Sequence, residues 1–73
     1  MATVIVYGPR ACGKTRNAAR IAAKFGIPPD KIIDEWGERD GDMVKPGHLH
    51  LAILRPANAQ GAQVVDFKSL RLA

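Results

Sequence analysis

Between the β-branched run Thr3-Val4-Ile5-Val6-Tyr7 and an alanine-rich segment beginning at Lys14, the chain places Gly8-Pro9-Arg10-Ala11-Cys12-Gly13-Lys14-Thr15, a G-x-x-x-x-G-K-T spacing. The flanks constrain the fold as much as the spacing does. The run 3–7 is apolar on both faces, which suits a central strand of a parallel sheet. After the glycine segment, Ala18, Ile21, Ala22 and Phe25 recur at i, i+3, i+4 and i+7, which predicts an amphipathic helix over 14–25. Gly8 and Gly13 permit backbone angles and close approach that a Cβ would obstruct. Successive N–H groups of such a loop, at the start of a helix, form a concavity that attracts polyphosphate.

The remainder reads as short elements joined by turns. Gly26 is placed to end the helix in a left-handed conformation, and Pro28-Pro29 forbid its continuation. Lys31 to Trp36 predicts a second strand that ends in the carboxylate pair Asp34-Glu35. Segment 37–47 is polar, turn-rich and without helical period, so an exposed loop is expected. His48 to Leu54 predicts a third strand and Gln63 to Phe67 a fourth, separated by a turn over 56–61. Lys68 to Leu72 is left as a short helix or a tail.

Residues 3–26 resemble the P-loop NTPase superfamily. The resemblance implies a minimal α/β fold of about four mainly parallel strands in the order 2-3-1-4, with one principal helix after the phosphate loop. It also implies ATP and Mg²⁺ as ligands. Gly8 would open the turn, and Gly13 with its neighbours Pro9, Arg10, Ala11, Cys12 and Arg16 would surround the phosphates. Lys14 would bridge the β- and γ-phosphates, and Thr15 would offer its hydroxyl to the metal. Ile32-Ile33-Asp34-Glu35 is similar to a shortened magnesium-site strand of ATPases, with Asp34 on the metal through water and Glu35 orienting an attacking water. Arg55, at the end of the third strand, would touch the γ-phosphate at the ligand edge of the sheet. The chain as a whole resembles the very small P-loop proteins of bacteriophages and prophages, in size and in the general order of its elements.

Size and charge bound these readings. Seventy-three residues make one small domain with room for a phosphate site and little else. Both later strand connections are short for parallel crossovers, so an antiparallel fourth strand stays open. With few helices, one sheet face is expected to be thinly covered, which argues for a homodimer or a protein partner over it. The net charge of +4 suits an anion-binding protein. It forms no basic run, and with one Trp, one Tyr and two Phe there is no stacking platform, which disfavours nucleic acid. A single cysteine fits a reducing compartment, and neither a transmembrane-length stretch nor a signal-peptide pattern is seen, so a cytoplasmic protein without membrane contact is expected.

Other residues carry weaker signals. Asp66 ends the fourth strand and is a rival metal-side carboxylate, with a surface strand-end role favoured. His48 and His50 share one strand face at a spacing that could hold a metal, but no third ligand is evident, so partly exposed strand histidines are expected. Cys12 lies in a variable loop position. Trp36 reads as a packing residue in preference to an adenine platform. The guanine motif N/T-K-x-D is absent, which favours ATP over GTP. Three functions follow: an ATP–Mg binding protein with weak ATPase activity open to it, a non-enzymatic phage-type accessory protein that docks on a protein partner with its loop as a nucleotide-dependent switch or stabiliser, or, least favoured, a basic module whose loop grips nucleic-acid phosphates.

Overall fold

The computed structural model describes residues 2–9, 16–37 and 41–70. Strand β1 spans Val4–Tyr7, helix α1 Ala18–Lys24, strand β2 Ile32–Ile33, strand β3 Leu49–Ala52 and strand β4 Gln63–Asp66, followed by a 3-10 turn over Phe67–Ser69. The four strands form one sheet in the order β2-β3-β1-β4. Every pairing is parallel, with Val4 opposite Leu49 and Gln63, and Ile32 opposite Leu49. The expected order is therefore present.

β4 runs parallel, against the antiparallel alternative. Segment 53–62 links β3 to β4 without a helix. The reason is strand length. Four residues rise only ~13 Å, and β4 lies two strand spacings (~10 Å) from β3, so the connector covers roughly 16 Å. An extended chain reaches about 3.3 Å per residue, which leaves ample slack. The usual dozen-residue crossover belongs to longer strands. Ala59–Ala62 supplies the final bend: Ala62 N–H donates to Ala59 O at 2.9 Å, with Gln60 at φ 51° and Gly61 at φ 89°. That pair of left-handed residues is a type I′ turn.

α1 is shorter at its start than expected. Arg16 and Asn17 form a turn, and the first helical residue is Ala18, with Asn17 as N-cap. Asn17, at φ −102° and ψ 12°, lies outside the helical region and makes no side-chain cap hydrogen bond. The C-terminal end of the helix matches the expectation closely. Gly26, at φ 72°, donates to Ala23 O at 3.1 Å, and Ile27 donates to Ala22 O at 2.8 Å. These two bonds make a Schellman motif, and its hydrophobic member, Ile27, is buried.

Two apolar clusters sandwich the sheet. On the helix side, Val4, Val6, Leu49 and Leu51 meet Ile21, Ala22 and Ile27, with Ala18 and Phe25 at the margin. On the other side, Ile5 and Ala52 meet Trp36, flanked by Tyr7, Ile33, Val44, Ala59 and Ala62. The second face was expected to be thinly covered, yet Ile5 is fully buried. Loops 42–47 and 55–62 and the Trp36 ring close it, so the chain itself supplies the cover.

Trp36 reaches that face through a bulge. Leu49 N–H donates to Lys31 O at 2.9 Å, so a regular parallel ladder would bring residue 35 to Leu51 O. Trp36 N–H makes that bond instead, at 2.9 Å. One extra residue has been inserted, Glu35 adopts φ 55°, and Trp36 falls on the face occupied by Ile33. The predicted strand 31–36 is consequently cut to two residues.

Candidate functional site

An all-parallel sheet brings the C-terminal ends of its strands to one edge, where open α/β sheets bind ligands. Gly8, Asp34-Glu35, Arg55 and Asp66 all follow or end such strands. Gly8 is buried, and its N–H donates to Ala52 O at 3.0 Å, which extends the β1–β3 ladder one residue into the glycine segment. Pro9 and Arg16, at the two ends of that segment, are exposed. Arg10, Ala11, Cys12, Gly13, Lys14 and Thr15 lie outside the described residues.

Asp34 and Glu35 are both exposed, since the bulge lifts them out of the ladder. Asp34 Oδ1 accepts the Glu35 N–H at 2.9 Å, which holds the left-handed residue in place. Their strand is separated from β1 by β3, about 10 Å between strand axes. Asp66 stands nearer, opposite Tyr7 on the adjacent strand. Its Oδ1 accepts the Lys68 N–H at 3.0 Å and its carbonyl accepts the Ser69 hydroxyl at 2.7 Å. It caps the 3-10 turn, which is the strand-end role expected of it.

The Arg55 guanidinium carbon lies 6.0 Å from the centroid of the Tyr7 ring. This cation–π contact places a positive charge beside the last residue of β1, immediately before Gly8. Tyr7 was not singled out from the sequence. An aromatic residue closing the strand before a glycine loop was the available signal.

His50 corrects the expectation of partly exposed histidines: it is fully buried. Lys45 N–H donates to Nε2 at 2.9 Å, so the proton sits on Nδ1, which donates to Val4 O at 3.0 Å. Both ring nitrogens are occupied, and the ring packs edge-on against Trp36 at 5.6 Å between centroids. Burial lowers its pKa below the ordinary 6.5, opposed by the bond to Val4, with the charges of His48 and Lys45 adding to the lowering. His48 Nδ1–H donates to Pro46 O at 2.9 Å. The pair organises a loop and does not present two ligands; among the described residues no group of three His, Cys, Asp or Glu could hold a metal. Trp36 is 3% exposed and donates Nε1–H to Met43 O at 3.0 Å, which makes it a packing residue with no open face for a base.

The described edge thus carries an aromatic-held guanidinium and exposed carboxylates, while the Gly8 amide is spent in the β1–β3 ladder. Among the described residues no helix is long and apolar enough to cross a membrane. Comparisons with protein-family models, curated proteins and solved structures returned no match. Over the described residues the chain is a small α/β protein with a four-stranded parallel sheet and one α-helix.

Proposed function

We propose that this chain binds a nucleoside triphosphate, ATP, together with Mg²⁺ through Gly8–Thr15, in the manner of a P-loop protein. The carrying observation is placement: G-x-x-x-x-G-K-T begins at the C-terminal end of an interior parallel strand and leads into the helix packed on that sheet. Backbone amides there, with Lys14, would hold the phosphates, and Arg16 and Arg55 would add positive charge. Thr15 would bind the metal directly and Asp34 through water, since its strand is one removed from β1. The bound cation would neutralise charge on the phosphates. Glu35, exposed and without an apolar cover, would orient water for slow hydrolysis.

Calorimetric titration with ATP–Mg tests the reading. Lys14→Ala should weaken binding by at least about tenfold, as removal of a charged contact costs roughly 1.5–3 kcal/mol. Unchanged affinity would refute it. Glu35→Gln should retain binding and lose whatever hydrolysis the parent shows.

A further inference from the structure

Helix α1 contains no carboxylate, and nothing acidic in its first turn offsets the exposed Arg20 there. Arg20 and the exposed Lys24 stand four residues apart, so they project from one face of the helix, where like charges repel. Arg16, also exposed, lies one such step earlier, in the turn that leads into α1. Among the described residues none of the three side chains has an ion-pair or hydrogen-bond partner. Ala19 and Ala23, exposed beside them, are too small to shield the row. Phe67 and Leu70 pack on the helix-side cluster, which brings the exposed Lys68 to the same side of the sheet. Charge is also sorted along the chain. Residues 1–29 hold Arg10, Lys14, Arg16, Arg20 and Lys24 and no carboxylate, whereas six of the seven carboxylates fall within 30–42.

The face of α1 is selective about what can cover it. A protein partner needs an apolar or aromatic centre to its interface, and an anionic membrane is held firmly only with an apolar wedge. This face has neither: the apolar stripe of α1 is turned into the sheet, and the exposed large hydrophobic residues are Met43, Ile53 and Leu54. A phosphodiester backbone requires cations alone. Single strands also call for aromatic rings on which bases stack, but Trp36 is buried and Arg55 lies over the Tyr7 ring. A duplex, whose bases are already stacked, makes no such demand. We propose that the solvent face of α1 docks on the phosphate backbone of a nucleic-acid duplex, without regard to sequence, through Arg20 and Lys24, with Arg16 and Lys68 at its margins. These charges form no run in the sequence, because a spacing of four gathers them only once the helix has formed. The surface uses no residue of the glycine segment 8–15 and needs no nucleotide.

Fluorescence anisotropy with a labelled, mixed-sequence DNA duplex, in the absence of ATP, tests this from about 50 to about 200 mM salt. The parent's log affinity should fall against log salt with a slope of roughly −3, as about three to four phosphate contacts require. Arg20→Gln/Lys24→Gln should weaken binding at least about tenfold and make the slope shallower by about 2. Misfolding would not explain that result, since relief of like-charge repulsion should leave the double variant at least as heat-stable as the parent. Lys45→Gln removes the same charge as Lys24→Gln, but from the loop that closes the opposite face. It should change affinity less than about twofold, because screening acts over about 10 Å at ~0.1 M salt and the molecule is 18 Å along its shortest axis. Lys14→Ala should cost the duplex less than the helix double variant does. An unbound duplex at ~50 mM salt, an unchanged slope in the double variant, or an equal loss in Lys45→Gln would overturn the assignment. So would a loss in Lys14→Ala as large as in the double variant, which would move the contact to the glycine segment. Tighter binding to a single strand than to the duplex would remove it as well. Uptake by phosphatidylserine vesicles that depends on Arg20 and Lys24, with no duplex binding, would give the face to a membrane instead.

Discussion

At the residue level, His50 is the side chain whose chemistry the fold most depends on. Its neutral, Nδ1-protonated ring ties β1 to the 43–47 loop and supports the Trp36 edge. Protonation would turn Nε2 from acceptor into donor, opposite the Lys45 N–H, next to the charges of Lys45 and His48. Because the folded pKa is lowered, the unfolded chain takes up this proton first as pH falls. Stability from His50 is then complete above about pH 6.5 and is lost as pH drops through the lower folded value. Urea midpoints measured from about pH 8 to about pH 5 should fall on the acid side, and His50→Gln should flatten that slope. An equal acid slope in His50→Gln would assign the effect elsewhere. His50→Ala should cost about 2–3 kcal/mol at neutral pH, from a cavity and from the Lys45 N–H left without its acceptor.

At the element level, two left-handed residues make opposite predictions from the same physics. Glu35 bears a Cβ at φ 55°, a conformation that costs a non-glycine residue about 1–2 kcal/mol. Glu35→Gly should be more stable than Glu35→Ala by about 1 kcal/mol in chemical denaturation. Parity of the two would mean that the bulge relaxes in solution. Strain at an exposed carboxylate fits the role proposed for Glu35, so Glu35→Gly should gain stability while losing whatever hydrolysis the parent shows. Gly61 lies at φ 89° with open space where a Cβ would stand. Gly61→Ala should therefore lose about 1 kcal/mol for conformational reasons alone, loosening the turn into β4.

At the level of the whole molecule, a small domain of this length has a narrow stability margin, and ligand binding acts on it directly. On the proposed reading, ATP–Mg at about one hundred times its dissociation constant would add about 2.7 kcal/mol. In a chain of this size that corresponds to a melting shift of roughly 10 °C or more. The shift should appear in the parent and vanish in Lys14→Ala. An equal shift in both proteins, or none in the parent, would separate stability from the glycine segment.

Local patterns determined much of this protein from its sequence: the β1 run, the apolar stripe Ala18-Ile21-Ala22-Phe25 and the Gly26 stop, while the strand order came from the resemblance. Those three patterns depend on residue periodicity or backbone permissiveness within a few positions, which a linear chain displays. Pairing geometry decided the rest. The direction of β4 turned on how little distance a four-residue strand requires its connector to cover. The bulge at Asp34-Glu35, and with it the burial of Trp36, depended on which N–H reaches Leu51 O. His50 entered the core because Val4 O and Lys45 N–H, both distant along the chain or outside its strand, converge on its ring. Partners of that kind are set by contacts between segments, and no spacing along the sequence encodes them.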